Sequence, residues 1–225
     1  MFAPEPEKDP YRIYIVDDHP FVREWLMNYL EEQKDIRVCG QSDRPATAFE
    51  EIVSLRPDVT ILDLSLHGGS GIELIKNIRA VQPKARILVL SMHDEKVYAE
   101  RAMRAGAMGY VMKRETTGKI IEAIRTVLYG QIYMSHSLAQ FMAQKSMGVR
   151  GSEGDLIMSL GDRELEVFSM IGQGYETRRI AEELNLSMKT VQAHCEHIKE
   201  KLKLSNATEL IREAVRWTEK ERWKG

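Results

Sequence analysis

Three carboxylates, a hydroxyl and an ammonium stand at the ends of apolar runs in the first half of this 225-residue sequence. Asp17 and Asp18 follow RIYIV, Asp63 closes VTILD, Ser91 closes RILVLS and Lys113 closes GYVMK. If these runs are strands of one parallel sheet, all five side chains arrive at the same edge. Crowded carboxylates repel one another and resist ionising together. A divalent, oxygen-seeking cation relieves that repulsion, and Mg2+ usually takes one or two carboxylates plus waters and a phosphate. Lys113 adds a positive charge of its own. The set suits a phosphoryl group, whose transfer depends on positioning and charge neutralisation. Asp63 reads as the nucleophile of an acyl phosphate. Asp18 and Asp63, joined by the backbone carbonyl of Ser65, would hold the metal. Asp17 would bind through water or orient the site, and Ser91 and Lys113 would grip the phosphoryl group. An Asp-Asp pair alone could equally be a helix cap or a solvated turn. The complete set at successive strand exits carries the stronger reading.

The elements that must position these residues are legible in the same region. From Tyr11 to about Gly130, the runs RIYIV, IRVCG, VTILD, RILVLS and GYVMK alternate with amphipathic stretches such as FVREWLMNYLEE and TTGKIIEAIRTVL. Near-continuous apolar strands separated by helices predict a parallel sheet covered on both faces. The expectation is a doubly wound α/β domain over 11–130, with a five-stranded parallel sheet of the flavodoxin-like kind. Chemistry in such folds collects beyond the carboxyl ends of the strands.

Residues 131–156 read as a connector: a further helix or ordered segment over 131–147, then the glycine-rich stretch GVRGSEGD as a linker. From 157 to 220 the pattern is wholly helical, predicting a small all-α four-helix domain. Within it, TRRIAEELNLSMKTVQAHCEHIKEKLK reads as helix, tight turn, helix. Asn185 tolerates the left-handed backbone such a turn needs, and Ser187 is a good N-cap. Ile180, Ala181 and Leu184 would face Val191, Cys195 and Ile198. The opposite face would show Lys189, Thr190, Gln192, Ala193, Glu196, His197 and Lys199. Gln192 suits an adenine edge, a lysine suits guanine or phosphate, and Glu196 could accept from a cytosine amine. Charge alone does not separate this face from a solvated hairpin. His194, Cys195 and His197 are too divergent around a helix to share a tetrahedral ion easily.

Bulk properties exclude other classes. The formal net charge is -2, so nucleic-acid binding must come from a local patch. Cys39 and Cys195 are the two cysteines, which fits reduced thiols in a cytoplasmic protein and no disulfide framework. No apolar run is long enough for a bilayer, so no membrane partner is expected. The start, MFAPEPEKDP, reads as a short disordered tail.

The segments IYIVDDHPFVREWL, PDVTILDLSLHGGSGIELI and RILVLSMHDEKVYAERAMRAGAMGYVMK resemble the receiver domains of NarL/FixJ response regulators. The resemblance implies that Asp63 accepts phosphate from a histidine of a partner kinase. It also implies a switch in which Ser91 moves toward the phosphate and Tyr110 turns inward. Leu66 and His67 stand where such receivers often carry Met-Pro, and Arg114 stands where many have proline. The block LGDRELEVFSMIGQGYETRRIAEELNLSMKTVQAHCEHIKEKLKLSNATELIREAVRW resembles the LuxR-type DNA-binding domain. That implies a helix starting near Ser187 in the major groove of double-stranded DNA. It also implies a last helix, Ala207–Val215, that makes a homodimer contact, to which Leu210, Ile211 and Ala214 are assigned. Gly161 stands where a Ser or Thr cap is usual. Two other functions compete: a constitutive binding module, and a Mg2+-dependent phosphohydrolase. The phosphohydrolase would need a second catalytic carboxylate just after Asp63, where the sequence continues Leu64, Ser65, Leu66.

Overall fold

A computed structural model describes residues 9–147 and 155–223. The linker expected at 148–155 lies outside them except for Asp155, as do the first eight residues of the expected tail. The first half alternates strand and helix: β1 (Tyr11–Val16), α1 (Pro20–Glu31), β2 (Ile36–Ser42), α2 (Pro45–Leu55), β3 (Val59–Leu62), then a small hairpin of β4 (Ser65–Leu66) and β5 (Gly69–Ser70). It continues with α3 (Gly71–Val81), β6 (Ile87–Ser91), α4 (Glu95–Ala105), β7 (Gly109–Met112) and α5 (Thr117–Leu128). The remainder is helical: α6 (His136–Ser146), α7 (Asp155–Met158), α8 (Asp162–Gly172), α9 (Thr177–Glu183), α10 (Met188–Leu202) and α11 (Ala207–Trp223).

Five of the strands form one sheet in the order β2-β1-β3-β6-β7, with β1 parallel to β2 and β3, and β3 parallel to β6. Every residue of β3, β6 and β7 is buried, as are Ile13–Val16 of β1. Strands buried on both faces must be apolar throughout, which is why they read as runs and not as alternations. Alternate residues divide between the faces. Ile13, Ile15, Val59, Ile61, Leu88, Leu90 and Val111 join Leu26 and Leu30 of α1 and Ile120, Ile124 and Val127 of α5 in one core. The strand order reverses direction at β1 and β3, and such a reversal opens a crevice at the carboxyl ends of those two strands. Asp17, Asp18 and Asp63 leave the sheet there.

By its internal packing the described chain divides into two compact units. The first takes the residues up to Ser91, with Ala102–Val111 and Glu115–Tyr133; the second takes Met92–Arg101, Met112–Arg114 and the residues from Met134 on. Within the second unit, the Ser135 hydroxyl donates to both carboxylate oxygens of Glu95 at 2.7 Å, and Lys145 pairs with Glu100. Ser135 also caps α6, accepting from the Leu138 N–H at 3.0 Å. Arg101 donates to Asp162 and to the Met158 carbonyl, both at 3.2 Å.

The helices α8–α11 pack around Val167, Phe168, Ile180, Val191, Ile198, Leu202, Leu210 and Ala214, all buried. Glu164 ties α8 to α10, accepting from Lys201 at 2.6 Å and from the Gly161 N–H at 2.7 Å. Burial pushes the Glu164 carboxyl up, but these two donors outweigh it and hold it below the ordinary range. Gly161 has no side chain to return the bond, so this is half of a capping box. One expectation is corrected here. The last helix does not end at Val215 but runs on to Trp223. The four expected helices of this region are joined by the short α7.

Candidate functional site

The first-unit crevice is built from two strand exits. Asp63 directly follows β3, and its N–H donates to the Val16 carbonyl at 2.8 Å, stitching the two exits together. Asp17 follows β1 and donates from its N–H to Ser42 at 3.1 Å. Asp17 and Asp63 are buried, and the Asp18 side chain is only 9% exposed. Ser91, fully buried at the end of β6, donates to Asp63 Oδ1 at 2.7 Å. The Ser65 N–H lies 3.4 Å from the same oxygen. Ligand atoms of Asp17, Asp18, His19 and Asp63 all fall within 4.8 Å of one another.

The charge balance at this cluster is unsatisfied. Burial raises the Asp18 carboxyl above the ordinary range; His19 opposes that and the neighbouring Asp63 adds to it. Asp18 Oδ1 is buried without a hydrogen-bond partner among the described residues. His19 Nδ1 lies only 2.7 Å from it, close enough for attraction but not aligned as a donor. A buried carboxylate oxygen left in this state is costly unless a cation accompanies it. The donor set of clustered carboxylate oxygens fits Mg2+.

The sequence-assigned residues are distributed as follows. Asp17, Asp18, Asp63 and Ser91 converge, with Ser65 beside Asp63. Tyr110 is fully buried in β7. Lys113 directly follows β7 and groups with the second compact unit. Leu66 and His67 sit in the β4–β5 hairpin, where Ser65 pairs with Ser70 and Leu66 with Gly69. No peptide bond among the described residues is cis, including that before Arg114.

On α10, Ser187 caps the helix by accepting from the Thr190 N–H at 3.0 Å, and Asn185 is left-handed at φ 52°. Both follow the sequence reading. Lys189, Thr190, Gln192, Ala193, Glu196 and His197 are exposed. Lys199 departs from expectation: its side chain is 19% exposed and pairs with Glu196 at 2.8 Å. Its charge is thus partly spent within the helix, by an i,i+3 pair. Cys195 is half-buried, and burial pushes its thiol up; burial likewise pulls the His194 imidazole down. The dimer assignment on α11 also needs correction. Leu210 and Ala214 are buried inside their own helical domain, whereas Ile211 is 53% exposed. Of the three residues assigned to a dimer contact, Ile211 alone is exposed.

Comparison with known proteins decides the family. Residues 13–125 match the response regulator receiver domain, and residues 158–214 match the bacterial regulatory proteins of the luxR family. This chain belongs to the two-component response regulators. It is 36% identical over 211 residues to the oxygen regulatory protein NreC of Staphylococcus epidermidis, covering 91% of this regulator and 97% of that protein. The Staphylococcus carnosus NreC is 34% identical over 210 residues, with the same shares covered. Among solved structures, RcsB of Salmonella enterica serovar Typhimurium, bound to promoter rprA in the presence of phosphomimetic BeF3-, superposes with TM-score 0.68 at 26% identity. That match covers 91% of this regulator and 98% of the RcsB chain. The regulator is thus a receiver joined to a LuxR-type DNA-binding domain, a phosphorylation-controlled transcription factor.

Three residues at the receiver site were given no role from sequence, His67 being noted there only as a departure from Met-Pro. His19 follows the Asp pair directly, so its place was available. His67 reaches Asp18 Oδ2 at 3.6 Å only because the hairpin folds back. Gly71 opens α3 against the segment that follows β3, where a Cβ would stand 2.5 Å from the Asp63 carbonyl oxygen and 2.6 Å from Leu64 Cα. Those are backbone atoms and cannot rotate away. Gly71→Ala is therefore expected to shift the Asp63–Leu64 peptide and slow phosphorylation by about tenfold or more, since small misplacements of a reacting group cost that much. Rates of adduct formation with a small acyl-phosphate donor check this; an unchanged rate would show that the loop yields without moving Asp63.

Proposed function

We propose that Asp63 is the phosphoacceptor of this regulator, which acts in the cytoplasm and is served by a partner sensor histidine kinase, and that phosphorylation promotes DNA binding as a homodimer. The observation that carries the reading is the buried Asp63 at the switch point of the sheet, clustered with Asp17 and Asp18 and bonded by Ser91. An Asp63 carboxylate oxygen forms the new P–O bond as the P–N bond of the phosphohistidine breaks and the imidazole departs. Asp18, Asp63 and the Ser65 carbonyl would hold Mg2+, with Asp17 binding through water or orienting the site; the ion would supply charge neutralisation for the phosphoryl oxygens. Ser91 and Lys113 bind those oxygens, and Tyr110 reports the state of Ser91 to the surface. The receiver promotes its own phosphorylation and hydrolysis by this arrangement.

The domains of this reading are a receiver at 11–130, a connector at 131–156 and a DNA-binding domain at 157–220. Lys189, Thr190, Gln192, Ala193 and Glu196 of α10 face the DNA, with Lys199 at the margin. No described helix is long and apolar enough to cross a membrane. RcsB, a solved relative, was captured on promoter DNA in the presence of a phosphomimetic. The test is a DNA titration with and without an acyl-phosphate donor and Mg2+. Phosphorylation is expected to tighten binding by about 5- to 150-fold, the ordinary range of such coupling. Lys189→Ala should lower the slope of log affinity against log salt by about one. Equal affinity and stoichiometry in both states would remove the coupling.

A further inference from the structure

We propose that Arg178 and Arg179 of α9 clamp DNA backbone phosphates, and that Tyr175, just past the end of α8, is the positioning residue that holds Arg179 ready for them. The inference rests on reading α10 as the helix that faces DNA, and adds three residues outside α10 to which that reading gives no role.

The chain carries a formal net charge of -2, so positive charge for a nucleic-acid backbone must be gathered locally. On α10 part of that charge is spent internally: Lys199 pairs with Glu196 at 2.8 Å and Lys201 with Glu164 at 2.6 Å. The helix before it holds the next positive group. Ile180, Ala181 and Leu184 are buried, which leaves Arg178, Arg179, Glu182 and Glu183 on the outward side of α9. These charges stand in the reverse of the order that a helix dipole favours, with arginines in the first turn and glutamates in the last. Glu176 stands at the N-cap but makes no side-chain cap bond to steady that end. The i,i+4 pairs, Arg178–Glu182 at 3.1 Å and Arg179–Glu183 at 4.0 Å, do not repair this, because cation before anion is the weaker order along a helix. Exposed pairs of this kind contribute little and are readily exchanged for another anion. A local arrangement that works against its own helix is expected where a partner supplies the missing charge.

Tyr175 supplies a second, independent sign. Its backbone is fixed by the end of α8: Gly174, left-handed at φ 86°, donates to the Ile171 carbonyl at 3.0 Å, and the Tyr175 N–H donates to the Met170 carbonyl at 3.0 Å. These are the two bonds of a Schellman motif. The ring anchored in this way lies under Arg179, whose guanidinium carbon stands 4.2 Å from the ring centroid. A guanidinium stacked on a ring keeps its in-plane N–H donors free for bidentate contact with a phosphate. Arg178 beside it is 80% exposed and has only to leave Glu182. In a helix-turn-helix the first helix crosses the DNA backbone while the second enters the groove. α9 is that first helix, joined to α10 through the left-handed Asn185. DNA phosphate is therefore the anion that its arginines meet.

The test uses the full-length regulator and a short duplex of random sequence, because non-specific binding reads the phosphates alone. The logarithm of affinity is followed against the logarithm of KCl concentration. Arg178→Ala and Arg179→Ala should each reduce the slope by about 0.9, the value of one lost phosphate contact on B-DNA. Tyr175→Phe should keep the wild-type slope, whereas Tyr175→Leu should fall toward the slope of Arg179→Ala. Thermal midpoints are measured on the same variants: one that only loosens the fold loses affinity equally at every salt concentration and keeps its slope. Unchanged slopes in both arginine variants would overturn the clamp and leave the arginines for an acidic protein partner. A wild-type slope in Tyr175→Leu beside a reduced one in Arg179→Ala would overturn the role given to the tyrosine. Lys189→Ala separates this inference from the reading beneath it. A slope lowered by that substitution but by neither arginine substitution would sink the clamp alone. Wild-type slopes in all three would remove the α10 reading together with the clamp.

Discussion

Asp63→Asn is expected to abolish the phosphate adduct while leaving the receiver folded. With Mg2+ and a small acyl-phosphate donor, wild type should gain one phosphoryl mass, and hydroxylamine should strip it. The variant should gain none, a fall of more than about a hundredfold, because a carboxamide is no nucleophile. The fold should survive for a local reason. Asp63 Oδ1 accepts from the Ser91 hydroxyl at 2.7 Å, and an asparagine carbonyl oxygen can accept the same bond. The substitution also removes one charge from a crowded acidic cluster, which relieves Asp18. Its thermal midpoint should therefore equal or exceed that of wild type. DNA affinity should stay at the unphosphorylated level whatever donor is present. An adduct of equal yield on the variant would place the phosphoacceptor elsewhere.

The receiver chemistry was legible because strand exits are local facts. Asp18, Asp63 and Ser91 each end or follow an apolar run, and a parallel sheet brings such ends to one edge. The α9–α10 turn was legible for the same reason: Asn185 and Ser187 act on the backbone within three residues of themselves. What escaped depends on contacts distant in sequence or on rotation about a helix. His67 approaches Asp18 only through the hairpin that pairs Ser65 with Ser70. Lys199 is drawn in by Glu196, a pairing that face-counting alone treats as two independent exposed charges. Leu210 and Ala214 carry the apolar pattern of a contact face, but periodicity cannot say whether the contact is internal or with a second copy. The pattern on α11 also fades after Val215. No glycine or proline breaks the segment that follows, so the helix continues to Trp223.

The DNA-binding domain offers a second large effect, in which two local arguments point opposite ways. Gly172 is the last residue of α8, where alanine is intrinsically better than glycine by about 0.8–1.0 kcal/mol. Propensity alone predicts that Gly172→Ala stabilises. The packing predicts the reverse. A Cβ at Gly172 would stand 2.0 Å from Thr218 Oγ1 and 2.4 Å from the Ala214 carbonyl oxygen. The threonine hydroxyl could rotate only by giving up its 2.9 Å bond to that same carbonyl. The Ala214 carbonyl is helix backbone, so relief requires α11 to move bodily away from α8. That movement would open the core at Phe168 and Trp217, whose rings lie 5.6 Å apart. Overpacking of this kind costs about 1–3 kcal/mol and sometimes more, which outweighs the propensity gain. A domain of this size has little stability to lose. Gly172→Ala should therefore lower its thermal midpoint by roughly 5 °C or more and weaken DNA binding, while Asp63 phosphorylation stays at the wild-type rate. Adding Thr218→Ala removes the hydroxyl but leaves the carbonyl, so rescue should be partial. Full rescue would assign the strain to the threonine; an unchanged midpoint in the single variant would mean that α11 shifts at no cost.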